Sequence, residues 1–178
     1  IGVTLLMING QNIADLTGIE DFSYLSILQC QDNQLTSLDL SQNQLNELNC
    51  SNNQLTSFDL SQNTNLTHLT CFNQLISSNQ LNSLDLSQNT SLKFLDCSGF
   101  LFLGGHMCPL TNLNLSQNLL LDTLICKSNP LTTLDISQNI ALKYIDLSNC
   151  KLSNLDLSQN TSLEFLELSY SGLSSLDV

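Results

Sequence analysis

Leu131-Thr-Thr-Leu134-Asp-Ile136-Ser-Gln-Asn139 is a nine-residue stretch whose pattern, L-x-x-L-x-L-x-x-N, recurs through most of the chain. We call this form the tight motif, and close copies begin at Leu35, Leu55, Leu81, Leu110, Leu152 and Leu173. A loose motif, which usually has Cys at its third apolar place, begins at Leu25, Leu45, Leu66, Leu92, Leu121, Leu142 and Leu163. The two motifs alternate strictly, so that one of each makes a repeat of roughly 21 residues.

The spacing within the motif predicts a short strand. In Leu134-Asp135-Ile136 the outer two side chains share one face, and the middle one points the other way. One such strand cannot bury its apolar face, but stacked copies form a continuous core. The links between motifs are as short as the single residue Gln54, which leaves no room for a helix. We therefore predict a β-rich solenoid with parallel short strands on both sides of each coil and little helix.

The Asn that ends each motif is predicted to bond backbone groups where the chain leaves the strand and turns. Stacked copies would form a structural ladder, which in the tight motifs consists of Asn43, Asn63, Asn89, Asn118, Asn139 and Asn160. Asn33, Asn53 and Asn129 are the corresponding residues of the loose motifs. Cys150 stands in the ladder position of its own motif, and Cys108 is a second candidate for that substitution.

These residues resemble the leucine-rich repeat signature, L-x-x-L-x-L-x-x-N/C-x-L. The nested pairing of two motifs resembles the bacterial class sometimes called IRREKO. Residues 12–19 also resemble the entry segment of secreted bacterial leucine-rich repeat proteins. The resemblance implies a leucine-rich repeat solenoid and a non-enzymatic binding module, extracellular or at the cell surface, that engages a protein or a glycan.

The repeats divide the chain into an N-terminal cap coil, residues 1–24, and a solenoid, residues 25–178. Two inserts near 73–77 and 100–107 lengthen the loose-to-tight spacing in neighbouring coils. Inserts in solenoids form loops on one face, often the binding face, although the apolar second insert could instead pack as a small satellite core. Because the chain stops inside a motif, we expect either a fragment of a longer protein or head-to-tail self-association through an open strand edge. A structural spacer or self-assembling filament is therefore the alternative function.

Composition narrows the partners. Four Lys, no Arg and 16 acidic residues give a net charge of -12, which argues against binding to nucleic acid or anionic lipid. No apolar run approaches the ~20 residues of a membrane span, so membrane insertion is not expected. The first residues lack the charged start and cleavage site of a signal peptide, which leaves export undecided.

The seven cysteines are explained by position rather than by disulfides. Five of them, Cys30, Cys50, Cys71, Cys97 and Cys126, occupy the third apolar place of the loose motif and should point inward in one column. A cysteine there behaves as a small hydrophobic residue. In-register parallel neighbours rarely offer the Cβ geometry of a disulfide, so we predict buried thiols.

The outward positions of the loose motif vary freely and include aromatic and charged residues, whereas those of the tight motif barely vary. Aromatic side chains dominate interface energetics. The predicted binding residues on the loose face and in the second insert are His68, Lys93, Phe94, Phe100, Phe102, Tyr144 and Phe165. Lys143, like Lys93, could attract an acidic group. The competing interpretation is relaxed drift on a solvated face.

The tight motif presents a row of outward aspartates, which we interpret as a solvated face that resists edge-on aggregation. Calcium binding and ice binding are the less favoured alternatives, because no calcium-loop signature is present and the Asp row interrupts a flat Thr-rich face. His68 and Cys71 point to opposite sides, and His106-x-Cys108 has no second pair, so no metal site is predicted. No convergent catalytic group is present, so neither an enzyme nor a cofactor is expected.

Overall fold

The computed structural model describes residues 2–73, 79–99, 101–102, 105–106 and 110–178, with the backbone alone for the two short segments. It is a parallel β-solenoid of about eight coils with almost no helix, so the predicted fold class is confirmed. The one helical element in the described part is a 3₁₀ turn at Ile19–Asp21. No helix in this part is long and apolar enough to cross a bilayer.

Eight parallel strands form the main sheet, one strand from each coil. They are β1 (Leu5–Met7), β2 (Ile27–Gln29), β3 (Glu47–Asn49), β4 (His68–Thr70), β5 (Phe94–Asp96), β8 (Thr123–Ile125), β9 (Tyr144–Asp146) and β11 (Phe165–Glu167). Their spatial order follows the chain, and each strand pairs in register with the next. The seven loose motifs therefore supply seven of these strands, as expected from their spacing, and the N-terminal cap supplies β1.

The tight motifs lie on the opposite side of each coil and form fewer strands than predicted. Only the last two described coils form a ladder there, between β10 (Asn154–Asp156) and β12 (Ser175–Asp177). Elsewhere the tight motifs are separated by surface clefts, such as one of about 350 Å³ between Leu113 and Leu134. A second cleft of about 410 Å³ lies between Asp59 and Asp85. A further cleft of about 480 Å³ lies over the paired strands β10 and β12, so clefts occur on this side whether or not the strands pair.

The core lies between the two sides and consists of stacked columns of identical or similar side chains. The central sheet column is Leu28, Leu48, Leu69, Leu95, Leu124 and Ile145, all at most 2% exposed. The column beside it is made by the five cysteines of the loose motif, continued by Leu147. All five are buried and none forms a disulfide, which confirms that prediction. Cys97 and Cys126 are in contact, with their sulfur atoms 3.4 Å apart.

The tight-motif asparagines form a continuous chain of hydrogen bonds through the solenoid. The Asn63 amide donates to the backbone carbonyl of Asn43 at 2.6 Å, and Asn89 donates to that of Asn63 at 2.9 Å. Asn118, Asn139 and Asn160 repeat the contact, each with the ladder residue before it. Each ladder amide also donates to a leucine or isoleucine carbonyl of the preceding coil. Most of these carbonyls already accept a backbone N–H within their own turn, so the ladder gives them a second hydrogen bond, which joins one coil to the next.

A second ladder runs beside the cysteine column. Asn53 donates to the Cys30 carbonyl, and Asn129 donates to the Cys97 carbonyl, each at 3.0 Å. Cys150 occupies the same position, since its thiol donates to the Cys126 carbonyl at 3.4 Å. Asn79 is a member that the motif spacing missed, because it follows the first insert, yet it donates to the Cys50 carbonyl at 2.9 Å. Its signal was the Asn-Gln-Leu triplet that also starts the tight motifs at Leu35 and Leu55.

The N-terminal residues are joined to the array by the same contacts. Strand β1 pairs with β2, and the Asn43 amide donates to the carbonyls of Ile19 and Phe22. Most of the first insert lies outside the described residues, and Asn73, at its start, donates to the Asn79 carbonyl. In the second insert the backbone forms an antiparallel hairpin of β6 (Leu101–Phe102) and β7 (Gly105–His106).

Candidate binding face

The outward side of the main sheet carries two columns of side chains, because alternate residues of each strand point away from the core. The first column follows the first residue of each strand: Leu5, Ile27, Glu47, His68, Phe94, Thr123, Tyr144 and Phe165. The second follows the third residue: Met7, Gln29, Asn49, Thr70, Asp96, Ile125, Asp146 and Glu167. The structure therefore brings four of the predicted binding residues, all aromatic rings, into one column.

The aromatic rings of the first column form two stacked pairs. His68 and Phe94 have ring centroids 5.9 Å apart and planes 20° from parallel. Tyr144 and Phe165 are closer, with centroids 4.4 Å apart and planes 6° from parallel. Stacking along the strand-to-strand direction uses one face of each ring and leaves the ring edges toward solvent. The pairs form an apolar ridge across the strands.

Thr123 separates the two stacked pairs. Strand β8 lies between β5 and β9, so the unstacked faces of Phe94 and Tyr144 both look over Thr123. Two strand spacings put the Cα atoms of these aromatic residues about 9–10 Å apart. The Thr123 hydroxyl donates to Asp122 at 2.8 Å. The first column is therefore an aromatic row with one small residue in its middle.

Charges of alternating sign stand at the start of the last four sheet strands. Lys93, Asp122, Lys143 and Glu164 occupy this position in successive coils, and their backbones are hydrogen-bonded in sequence. Lys93 and Lys143 are exposed, whereas Asp122 between them is half-buried. Within the described residues neither lysine has an acidic partner within 4.0 Å; Lys127 and Asp146 form the ion pair found there. The two lysines can therefore pair with a carboxylate of a binding partner.

The second column contains two largely buried carboxylates, Asp96 and Asp146, on either side of Ile125. Burial raises the pKa of Asp96, although hydrogen bonds from Ser98 and the charge of Lys127 partly oppose that rise. Asp146 is 8% exposed, accepts hydrogen bonds from Ser148 and lies 4.0 Å from the Lys127 ammonium. These carboxylates are held by internal donors and by Lys127.

A patch of exposed aliphatic side chains borders the same coils and was missed at the sequence level. Leu119, Leu120 and Ile140 are 52%, 53% and 59% exposed and lie in the turns that lead into β8 and β9. We call these three residues the apolar edge. Other coils have Thr64, Thr90 or Thr161 where these have Leu119 and Ile140. Comparing the repeats at this turn would have revealed the difference.

The remaining predicted binding residues belong to the second insert. Phe100 lies outside the described residues, and Phe102 is described only as backbone in β6. Whether these two side chains bind a partner or pack as a satellite core stays a prediction.

The opposite, tight-motif face is chemically uniform and its oxygen atoms serve the turns. Asp39, Asp59, Asp85, Asp135 and Asp156 each accept a hydrogen bond from the backbone N–H of the serine two residues later. Those bonds lower the pKa values of these aspartates. Asn114, which interrupts the row, accepts the same bond from Ser116 at 3.0 Å. The row therefore has a structural use in every coil, including the one that lacks the carboxylate.

Among the residues that the structure describes, no three His, Cys, Asp or Glu side chains are grouped so as to hold a metal ion. The six cysteines among the described residues are buried, and burial raises the pKa of Cys30 and of Cys150 to about 12, which keeps both as neutral thiols at neutral pH.

Repeats of roughly 21 residues, a one-strand-per-coil parallel sheet and asparagine ladders define the chain as a leucine-rich repeat solenoid. Three of the similar solved structures come from bacteria. The functional domain of InlJ from Listeria monocytogenes, described as including a cysteine ladder, is 32% identical over 97% of this chain and 48% of its own, with a TM-score of 0.49. The Leptospira interrogans leucine-rich repeat protein LIC12759 is 24% identical over 89% of this chain and 52% of its own, with a TM-score of 0.55.

Internalin C2 from Listeria monocytogenes is 18% identical over 97% of this chain and 80% of its own, with a TM-score of 0.60. At these identities the LIC12759 and internalin C2 structures establish a shared fold. The chain spans about half the length of the first two proteins. No protein-family model and no curated protein sequence matches it.

Proposed function

We propose that the chain is a non-enzymatic binding module of a secreted or surface-exposed bacterial protein, and that the outward face of its main sheet engages a protein partner. The observation that carries the proposal is the aromatic column across β4 to β11, which exposes an apolar ridge between charged side chains. The leucine-rich repeat fold supports it, since solenoids of this kind present extended binding surfaces.

The contrast between the two faces supports the choice of the sheet side. On the tight-motif side the outward Asp or Asn is the same kind of residue in each coil and is used as a turn acceptor. On the sheet side the outward residues differ from coil to coil, and most of the aromatic rings make no hydrogen bond that the backbone needs in order to turn. Variation at fixed geometry is what a recognition surface needs, because specificity depends on side chains that differ along it.

A protein partner fits the ring arrangement better than a glycan. Sugar rings stack on open aromatic faces, but each stacked pair has already covered one face of each ring. The ridge, the exposed lysines and the apolar edge together resemble the mixed apolar and polar anatomy of protein interfaces. A glycan remains an outcome that the binding experiment would show.

A structural spacer is the second candidate, and the tight-motif ladder favours it, because it joins successive coils without a break from Asn43 to Asn160. Static light scattering as a function of concentration separates the two functions. A monomeric mass at all concentrations agrees with a binding module, whereas mass that rises steadily with concentration indicates self-assembly.

Affinity capture with variants of each face tests the proposal. The sheet-face variant Tyr144→Ser/Phe165→Ser removes one stacked pair, and its matched control on the other face is Asn112→Ala/Thr133→Ala. Both variants should retain the circular dichroism spectrum of the parent. We expect bacterial proteins that the parent retains to be retained by the control and lost by the sheet-face variant. If the control variant alone failed to retain these proteins, the binding site would lie on the tight-motif face.

A further inference from the structure

The aromatic column has the dimensions of a row from which one ring is missing. His68, Phe94, Tyr144 and Phe165 occupy four of five successive positions, and Thr123 occupies the third. Each of the rings beside Thr123 is stacked on its outer neighbour, and among the described residues neither ring has an aromatic partner on its β8 side. The two unstacked faces look toward each other across a gap whose floor is a half-buried threonine.

The width of that gap matches one more ring. A planar group placed midway between Phe94 and Tyr144 would lie about 4.8 Å from each, because they stand two strand spacings apart. Stacked aromatic pairs have centroids ~4.5–7 Å apart, and Tyr144 and Phe165 show that this column accepts 4.4 Å. Thr123 needs no hydrogen bond from the ligand, since its hydroxyl already donates to Asp122. The gap therefore favours a planar apolar group over a polar one.

The surroundings of the gap determine what carries the ring. At the strand-entry side lie the exposed Lys93 and Lys143 on either side of the half-buried Asp122, so two cations border the gap in a chain that has four Lys and no Arg. A carboxylate next to the ring would meet one of these lysines. Beyond them, in the same coils, lies the apolar edge of Leu119, Leu120 and Ile140. Leu120 stands three residues before Thr123, in the turn that leads into β8.

We propose that the gap over Thr123 binds an aromatic side chain of a protein partner, in a segment with an acidic residue beside the aromatic one and an aliphatic residue about three positions away. The ring completes the stack between Phe94 and Tyr144, the carboxylate pairs with Lys93 or Lys143, and the aliphatic side chain covers the apolar edge. This inference rests on the proposed function, to which it adds the chemistry of the partner.

A fluorescent peptide tests it directly. The chain has no tryptophan, so a short capped peptide with one Trp, a Glu next to it and a Leu three positions earlier supplies the entire tryptophan signal. Thr123→Phe fills the gap with a ring of the chain itself. Thr123→Val keeps the gap open, and Glu47→Phe adds a ring at the other end of the same column, beside His68. Thermal melting checks that each variant folds.

We expect the parent, Thr123→Val and Glu47→Phe to bind the peptide with similar Kd, and Thr123→Phe to raise the Kd by at least about tenfold. A peptide with cyclohexylalanine in place of Trp, used as a competitor, should bind more weakly, because it lacks a planar face. Failure of the parent to bind the peptide, or equal binding by Thr123→Phe, would overturn the proposal. If Thr123→Phe does not fold, Phe94→Leu removes one wall of the gap, and unchanged binding would count equally against it.

The peptide experiment tests the gap over Thr123 separately from the proposed function of the whole sheet face. The capture experiment depends on Tyr144 and Phe165 together, whereas the peptide depends on the gap beside Tyr144. A protein captured through the sheet face by the parent and equally by Thr123→Phe would leave the binding module in place and exclude the gap as its anchor site.

Discussion

At the scale of single residues, the fold depends on side chains that complete the backbone hydrogen bonding of the turns. Asn118 shows the principle, because its amide donates to the carbonyls of Leu86 and Asn89 at 3.0 and 2.9 Å while fully buried. Both carbonyls also accept a backbone N–H, so each amide bond adds about 1 kcal/mol to a carbonyl that is already paired. The ladder asparagines are therefore structural residues, and their repetition says nothing about ligand binding.

Asn118→Ala should lower the free energy of unfolding by about 2 kcal/mol, since it removes two buried hydrogen bonds between coils, each worth about 1 kcal/mol. Chemical denaturation measures the loss. Asn112→Ala, an exposed change in the same coil, is the control and should alter stability by less than about 0.5 kcal/mol. Equal stability of the two variants would show that the ladder does not contribute.

The buried thiols give the protein an alkaline limit. Burial raises the pKa of Cys30 and that of Cys150 from 9.0 to about 12, so folding favours the neutral thiols. Their contribution to stability is complete below pH 9 and is lost as the pH rises toward about 12, because the unfolded thiols ionise first.

Between pH 9 and 11 the unfolding of the parent should release up to about two protons from these thiols, which makes the free energy of unfolding fall as the pH rises. Cys30→Ala/Cys150→Ala removes both protons and should therefore make that fall less steep. Urea unfolding under reducing conditions at several pH values gives the slope. The variant will be less stable than the parent at pH 7 because it lacks two packed sulfur atoms, but that loss is independent of pH. An unchanged slope would mean that these thiols do not control the alkaline limit.

At the scale of elements, in-register strands convert a repeated sequence position into a physical column. Tyr144 and Phe165 are 21 positions apart in the sequence, yet their rings stack with centroids 4.4 Å apart. Such a pair contributes about 0.5–1.5 kcal/mol beyond the burial of its area. The column therefore stabilises neighbouring strands as well as forming a surface.

A double-mutant cycle with Tyr144→Leu and Phe165→Leu should give a coupling free energy of about 0.5–1.5 kcal/mol. The control cycle pairs Phe165→Leu with His68→Leu, two residues of the same column that do not touch. That cycle should couple by less than about 0.5 kcal/mol. Equal coupling in both cycles would indicate a general change in the sheet rather than ring stacking.

The two sides of a coil should also differ in their tolerance of cavities. Leu124 lies under the sheet and is fully buried, whereas Leu134 is half-buried beside the cleft on the tight-motif side. Leu124→Ala should cost an amount near the top of the ~2–5 kcal/mol range for such changes, and Leu134→Ala near the bottom. Denaturation of both variants provides the comparison, and a larger loss for Leu134→Ala would contradict the packing described.

Much of this arrangement could be predicted from the sequence, because side-chain parity in a strand is fixed. This parity alone predicts that Leu124 and Cys126 point into the core and that Phe94 points outward. Asn79 could not be placed by spacing, since the first insert displaces it from its motif. The strand ladder of the tight motifs was predicted for every coil, whereas among the described coils it forms between β10 and β12, a difference that the motif itself does not encode. Ring stacking and the gap over Thr123 depend on side-chain conformations that the motif does not specify.

At the scale of the whole molecule, the solenoid is a series of coils in which each contacts only its neighbours. Rigid ladders hold the coils in register, so a surface distributed over β4 to β11 keeps a fixed geometry although its residues are far apart in sequence. One side of each coil is uniform and serves the turns, and the other varies. Recognition by the variable side is the central claim of this account.

The most direct test is an alanine scan of both faces against a captured protein partner, with the Kd measured by calorimetry. Phe94, Tyr144 and Phe165 represent the sheet face, and Asn112, Thr133 and Gln138 represent the tight-motif face. We expect at least two of the three sheet-face substitutions to weaken binding by more than about 1 kcal/mol and all three opposite substitutions to leave it unchanged. Weakened binding on the tight-motif face, with an unaffected sheet face, would contradict the assignment.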